Sequence, residues 1–345
     1  MKQTINIAYQ CSDSFRSPMM VSLYSFLKNN PSFDLRLFIM SKDFSEQSKA
    51  MVDGLLEKHG QGPCSIVRIP DFQKEYNVPI DCYNGKWNQD SFCRLFLCDL
   101  LPNDIEKVLY LDSDTLICKD LTELWNTDLG HYHAAAVSDF VSAEYCDLVG
   151  LEPTDRYYNS GVILFNLKQC RANKYIEQVK SVLRAKNGYV FFVEQSVFNL
   201  VDNKGIRCLP LSYNVNSTIV TLSYKRLLLL RKPANSYSEP EINEAIKDPR
   251  ILHMTSSFVV KNRAWYKNTN YKLKTLFDSY AKDVGGFEYF ADNRSAKKRL
   301  IDFAIAVFPK SLLCRAVGRY YRSTRIKKYK KYVGLHQQKD IKTSD

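Results

Sequence analysis

Short apolar runs alternate with longer amphipathic ones through the first 140 residues, and this rhythm restricts the possible fold more than any other feature. TINIAYQ, FDLRLFIM, CSIVRIP, VLYL and HAAAV read as strands. Between them SPMMVSLYSFLKNNP, SEQSKAMVDGLLEKHG and DSFCRLFLCDLLP read as helices, the second with Ser45 as N-cap and Gly60 at its end. Strands separated by helices of this length build βαβ units and hence a mainly parallel sheet. Further on the rhythm loosens. GVILFNL is strand-like, NKYIEQVKSVLRAK is an amphipathic helix, and Asn203 to Ser257 is rich in loops. The last fifty or so residues read as helices appended to an α/β domain. The expected division is an α/β domain over 1–275 and a basic helical region over 276–345.

Charge and cysteine usage exclude several classes. The net charge of +12 suggests a nucleic-acid binder until it is mapped. Arg294 to Tyr332 holds 13 Lys/Arg against one acid, Asp302, and the rest of the chain holds 36 of each sign. The globular part is neutral, so nucleic acid is not an expected partner. The start, MKQTINIAYQ, reads as a strand rather than a signal peptide, because no apolar run follows the lysine. LIDFAIAVF, the most apolar window, contains Asp302 and stops at Pro309, far short of the ~18 residues of a membrane span. Ten cysteines without a CxxC pair suggest free thiols and a cytosolic setting.

The stretch VLYLDSDTLI drives an apolar strand into two carboxylates, Asp112 and Asp114. Ligands of open sheets sit beyond the carboxyl ends of the strands, where both acids would fall. Residues i and i+2 of an extended chain point to one side, so the acids repel unless a cation or a proton neutralises them. A hard divalent ion gripping a diphosphate is one answer. A phosphohydrolase of haloacid-dehalogenase type is another, with Asp112 as nucleophile and Asp114 as general acid/base. That class normally needs a late DD or GDxxxD pair, and the chain contains no DD or GD dipeptide. An arbitrary D-x-D is more often a strand-end turn with an Asp cap, but the apolar strand ahead of this one argues for a site. A second constellation is ILHMTSSFVVKNRAW. His253 closes a short apolar run there, followed by Lys261 and Arg263. A neutral imidazole can complete an oxygen-rich site for an ion such as Mn²⁺, and the basic residues suit a leaving diphosphate.

Several of these motifs, in this order, resemble the retaining glycosyltransferases of family 8 over roughly residues 4–270. LYLDSDTLICKDLTELWNTDLG resembles the family's strand, DxD and following helix. YYNSGVILFNL resembles its Asn-(Ala/Ser)-Gly element, FVEQSVFN its Asp-Gln element, and HMTSSFVVKNRAW its His…Lys-Pro-Trp element. The resemblance implies a Rossmann-like nucleotide-sugar-binding domain of the GT-A type, with Mn²⁺ or Mg²⁺ on Asp112, Asp114 and His253 and a UDP-sugar as donor. It places Arg94, Asn159, Ser160, Gly161 and Asp139 beside the donor sugar and diphosphate, and Glu194 and Gln195 near the reacting carbon. Gln10, Ser12 and Phe15 replace the family's Asp-Asp-Asn around the nucleotide, with Ser113 between the two acids. Glu194 stands where the family has Asp, and no glycine follows His253 at the usual spacing. Lys261 or Arg263 is the phosphate-binding residue, with Arg263 favoured because Ala264-Trp265 matches Pro-Trp. Retention of anomeric configuration follows from the resemblance. With no nucleophile beyond Glu194, Gln195 or Asp139, front-face attack within an ion pair is the expected route. A saccharide or glycolipid acceptor, as in lipopolysaccharide synthesis, completes the expectation.

In AKKRLIDFAIAVFPKSLLCRAVGRYYRSTRIKKYKKY, basic and apolar residues recur at helical spacing. A basic amphipathic helix suits the anionic inner leaflet of a plasma membrane, and an electrostatic tail alone would not need Phe303, Phe308, Leu312 and Leu313. Three function classes are thus open: a membrane-peripheral glycosyltransferase, a phosphohydrolase, and a non-catalytic membrane-binding module.

Overall fold

In β1 (Gln3–Gln10) and β4 (Lys107–Asp112) successive side chains are buried on opposite faces, because the strands lie in the middle of a sheet covered on both sides. The computed structural model describes residues 2–343 apart from 84–87, 153, 236, 261 and 293; the side chains of 297, 298, 301, 304 and 337–343 are not described. The other strands are β2 (Phe33–Ser41), β3 (Ser65–Arg68), β5 (Thr115–Ile117), β6 (Ala134–Ser138), β7 (Tyr158–Asn166), β8 (Ile206–Leu209), β9 (Val215–Asn216) and β10 (Ile251–His253). Seven of them form the main sheet in the order β3-β2-β1-β4-β7-β6-β8. It is parallel except at β7, which runs antiparallel to both β4 and β6. Ile5, Ile7 and Tyr9 of β1 pack with the helices α1 (Arg16–Asn29) and α2 (Glu46–Glu57), whereas Ala8, Val108 and Tyr110 face the opposite core. The architecture is the mainly parallel α/β fold read from the strand–helix rhythm. Ser45 caps α2 through the Ser48 N–H, and Gly60 follows with φ of +67°.

The chain runs outward from β1 to β2 and β3, then returns to β4 on the other side of β1. The sheet order therefore reverses between β1 and β4, and a crevice opens at their carboxyl ends. The parallel register sets Gln10 beside Asp112 at that crevice.

Two local features differ from the sequence reading. DSFCRLFLCDLLP is a 3₁₀ helix, Gln89–Phe96, followed by a single α-turn, Leu97–Leu100. At three residues per turn Ser91 and Arg94 fall on one side, and both reach Glu194. The region after Asn203 contains β8, β9 and β10, each too short to carry a periodic signal.

The C-terminal region is helical: Ala296–Val307, Lys310–Arg319, a π-helical turn Tyr320–Arg325, and Ile326–Thr343. Its later part is packed on the α/β domain. Cys314 is buried with Leu222, Leu230 and Phe258. A Cβ on Gly318 would lie 2.6 Å from the Leu229 carbonyl oxygen, so that glycine lets two helices touch. Ile326 and Tyr329 share a core with Val141, Tyr145, Cys146 and Phe191. The Tyr332 hydroxyl donates to Asp81 Oδ2 at 2.8 Å. No described helix is long and apolar enough to cross a membrane. All ten cysteines are free.

Candidate active site

Register brings three metal-binding side chains together at the crevice. Asp112 ends β4, and Asp114 lies in the two-residue turn that leads into β5. β10 pairs antiparallel with β5, setting His253 opposite Thr115, and the Met254 N–H donates to the Asp114 carbonyl at 2.8 Å. His253 Nε2 consequently lies 3.1 Å from Asp114 Oδ1 and 3.5 Å from Asp112 Oδ2. Among the described residues these three form a group whose ligand atoms all lie within 4.8 Å of one another. Two carboxylates and an imidazole suit a divalent ion of the Mn²⁺ type. Gly161, on β7, makes the approach possible: a Cβ there would overlap the His253 ring and sit 2.8 Å from Asp112 Oδ2.

Each charge is held by an opposite one. Arg94, almost fully buried, places one guanidinium nitrogen 3.0 Å from Asp112 Oδ1, where Tyr110 also donates its hydroxyl at 3.0 Å. The same guanidinium lies over the Tyr110 ring at 4.6 Å and donates to the Ser160 carbonyl at 2.8 Å. Arg263 donates to Asp114 Oδ2 at 2.9 Å, stacked over the buried Trp265 with Phe15 nearby. Burial alone would raise the Asp112 carboxyl, but Arg94 and then His253 outweigh it and hold the group well below the usual range. Burial is likewise overcome at Asp114, by His253 and Arg263. Burial opposes the His253 imidazolium, yet Asp114 and Asp112 push its pKa up to about 10.

The expected sugar-side residues line the same crevice. Gln195 Oε1 accepts from the Ser160 N–H at 3.2 Å. Glu194 Oε2 accepts from Ser91 at 2.8 Å, and its Oε1 is 3.8 Å from Arg94. Burial raises the Glu194 pKa, and Arg94 and Ser91 offset it only in part. Asp139, just past β6, accepts from Asn159 Nδ2 at 3.1 Å. The Gln10 carbonyl accepts from Ser113 Oγ at 2.7 Å, tying β1 to the turn between the acids. Ser12 meets Ser14 and Phe15 rather than the Asp112–Asp114–His253 group. Lys261 lies outside the described residues.

Three residues of this network were not legible as site residues. Tyr110 sits inside the apolar run, Ser91 shows no pattern until the 3₁₀ geometry is known, and Asn214, whose Oδ1 lies 3.0 Å from His253 Nδ1, is one of several polar residues in the loop-rich region.

Residues 6–269 match the sequence profile of Glycosyl transferase family 8. The chain belongs to this family. It is a glycosyltransferase of the hexosyltransferase class, and the phosphohydrolase and non-catalytic alternatives fall away. A Haemophilus influenzae protein named as a glycosyltransferase is 27% identical over 277 residues, 78% of this chain and 75% of the relative. The lipopolysaccharide 1,2-glucosyltransferase of Escherichia coli is 26% identical over 220 residues, 63% of this chain and 64% of that protein. The solved structure of the galactosyltransferase LgtC with donor and acceptor sugar analogs superposes with a TM-score of 0.67 at 19% identity, covering 86% of this chain and all of that one. The likeness shows the GT-A fold.

Proposed function

We propose that this family 8 enzyme moves a hexose, glucose or galactose, from a UDP-sugar to a cell-surface glycan such as lipopolysaccharide core or a lipid-linked saccharide, with retention. The observation that carries the reading is the Asp112–Asp114–His253 group at the reversal of the sheet order, its histidine buried and its acids partly so, flanked by two arginines. The names of the glucosyl- and galactosyltransferase relatives support the sugar class. Asp112, Asp114 and His253 would hold Mn²⁺ or Mg²⁺, which when bound neutralises charge on the leaving diphosphate. Arg263, with Lys261, takes the diphosphate oxygens as a charge-assisted donor. Gln10, Ser12, Phe15 and Ser113, at the carboxyl end of β1 and the β4 turn, border the nucleotide. Arg94, Asn159, Ser160, Gly161 and Asp139 position the sugar. Gln195 Oε1, aimed by the Ser160 N–H, presents a partial negative charge to the carbon that becomes cationic. Glu194, held by Ser91 and Arg94, adds negative potential behind it.

The acceptor reading includes a surface. Leu300, Phe303, Val307, Phe308 and Leu312 are each between 53% and 69% exposed. The first three recur at i, i+3 and i+7 on one helix face. Exposed Arg299, Arg315 and Arg319 accompany them. An apolar stripe among cations fits the cytoplasmic, anionic face of the plasma membrane, where a lipid-linked acceptor resides.

A thermal-shift panel of UDP-glucose, UDP-galactose, their N-acetyl forms and GDP-sugars tests the donor. UDP-hexoses should stabilise the protein in Mn²⁺ and much less in EDTA; preference for a GDP-sugar refutes the UDP reading. Asp112→Asn and Asp114→Asn should each reduce transfer on the order of 10³-fold while leaving the fold intact. Near-normal turnover by either variant in Mn²⁺ would falsify the ion-site reading.

A further inference from the structure

Asn214, 2% exposed, bridges the two halves of the site. Its Oδ1 lies 3.0 Å from His253 Nδ1, and its Nδ2 donates to Asn159 Oδ1 at 2.9 Å. Asn159 Oδ1 also accepts from the Gly161 N–H at 2.9 Å, and Asn159 Nδ2 donates to the Asp139 carboxylate at 3.1 Å.

The polarity of this chain of amides follows from its two ends. A backbone N–H can only donate and a carboxylate can only accept, so the Asn159 oxygen faces Gly161 and its NH₂ faces Asp139. The Asn214 atom facing the Asn159 oxygen must then be the NH₂ group. The other Asn214 atom, facing His253, is therefore the oxygen, and His253 Nδ1 must carry the hydrogen. Nε2 is the nitrogen aimed at Asp112 and Asp114. A ligating histidine commonly donates its other N–H to a fixed acceptor in this way, which sets its tautomer and ring orientation.

We propose that Asn214 is a positioning residue that relays the fixed direction of the Gly161 N–H to His253, holding Nε2 toward the ion while its own NH₂ holds Asn159 against the donor sugar. The inference rests on the ion-site reading of the preceding subsection. It makes one side chain answerable to both metal and sugar, through separate atoms.

Two substitutions separate those atoms in the full-length protein. Asn214→Leu removes both hydrogen bonds at similar volume. Mn²⁺ affinity, measured by electron paramagnetic resonance without donor, should fall roughly 10- to 100-fold. Asn214→Asp keeps an acceptor for His253 but turns a second acceptor on Asn159 Oδ1. Mn²⁺ affinity should then stay within a few-fold of wild type, while UDP-sugar KM rises and kcat falls. Wild-type Mn²⁺ affinity in a folded Asn214→Leu variant overturns the relay, as does equal loss of Mn²⁺ by both variants. If Asn214→Leu does not fold, ¹⁵N spectra of the wild-type protein with a saturating diamagnetic ion decide instead. The His253 signals, assigned by their loss in His253→Ala, should show Nδ1–H; Nε2–H refutes the relay. If His253→Ala itself leaves Mn²⁺ affinity unchanged, the ion-site reading fails rather than the relay alone.

Discussion

The carboxyl edge of the sheet and the start of the C-terminal region break opposite rules of burial. At the edge, Arg94, Glu194, His253 and Asn214 are polar or charged and almost fully buried. From 300 to 312, five large apolar side chains are exposed. Scattered exposed apolar residues need no explanation, but buried charge and a contiguous apolar face each cost free energy unless something is bound or paired there. The edge answers its cost internally, since Arg94 meets Asp112 and Glu194, Arg263 meets Asp114, and Asn214 meets His253. The five apolar side chains from 300 to 312, in contrast, each stay more than half exposed. Buried charge accordingly marks where the chain has gathered its polar groups, and the exposed apolar side chains are the ones on which the membrane proposal stands.

The sharpest way to break the contrast is Gly161→Ala. The added Cβ overlaps the His253 ring, so Mn²⁺ binding should be lost and transfer should fall on the order of 10³-fold or more, as for loss of the ion itself. Mn²⁺ titration together with a transfer assay checks this, and retained Mn²⁺ binding would mean the ring has room to move. At the opposite pole, replacing Leu300, Phe303, Val307, Phe308 and Leu312 together by Ser should weaken binding to anionic vesicles roughly 10²- to 10³-fold. Turnover on a soluble acceptor and melting temperature should stay near wild type, because each of those side chains is more than half exposed. Vesicle sedimentation reads the effect, and a large drop in melting temperature would show that the face is covered after all.

The third experiment divides the C-terminal region against itself. Ile326 and Tyr329 point inward to Tyr145, Cys146 and Phe191, and Arg325 lies 5.0 Å from the Phe191 ring centroid. Tyr329→Ala should cost about 3 kcal/mol of stability with vesicle binding unchanged, as measured by denaturant unfolding and sedimentation. Truncation near residue 293 should therefore destabilise the domain as well as detach it from membranes. The packing also reaches the site. Phe192 and Val193, both with positive φ, lead directly into Glu194 and Gln195, and Arg325 lies over Phe192.

The smallest effect is a proton count. His253 is raised to about 10 in the metal-free protein, so near pH 7 it carries a proton that an ion must displace. Binding of Mn²⁺ should release close to one proton, and its apparent affinity should rise with pH, by up to roughly tenfold per unit below that pKa. Calorimetry in buffers of different ionisation enthalpy counts the proton, and no release would show that His253 is already neutral. Without metal, the raised His253 favours the fold fully below about pH 6.5 and loses that contribution as pH climbs toward 10. The lowered Asp112 and Asp114 do the reverse, contributing above about pH 3.8 and losing the contribution in acid.

The sequence by itself determined the parallel sheet, the strand that ends in Asp112, and the candidacy of His253. Those features rest on local pattern, since strand periodicity, helix caps and apolar runs act over a few residues and read the same wherever the chain goes. Asn159, Glu194, Gln195 and Arg94 were legible through motif resemblance, as were Asp112, Asp139 and Ser160 that meet them, while Ser91, Tyr110 and Asn214 were not. Tyr110 looks like one more apolar strand residue until its hydroxyl is seen on Asp112, and Asn214 looks like any loop asparagine until β9 and β10 align it with His253. Only the tertiary structure decided which basic, apolar helix of the C-terminal region turns inward and which outward. Each stretch mixes basic and apolar residues, and burial depends on the surface each one meets: Leu222, Leu230 and Phe258 cover Cys314, Tyr145 and Phe191 cover Tyr329, and Phe303 stays 64% exposed.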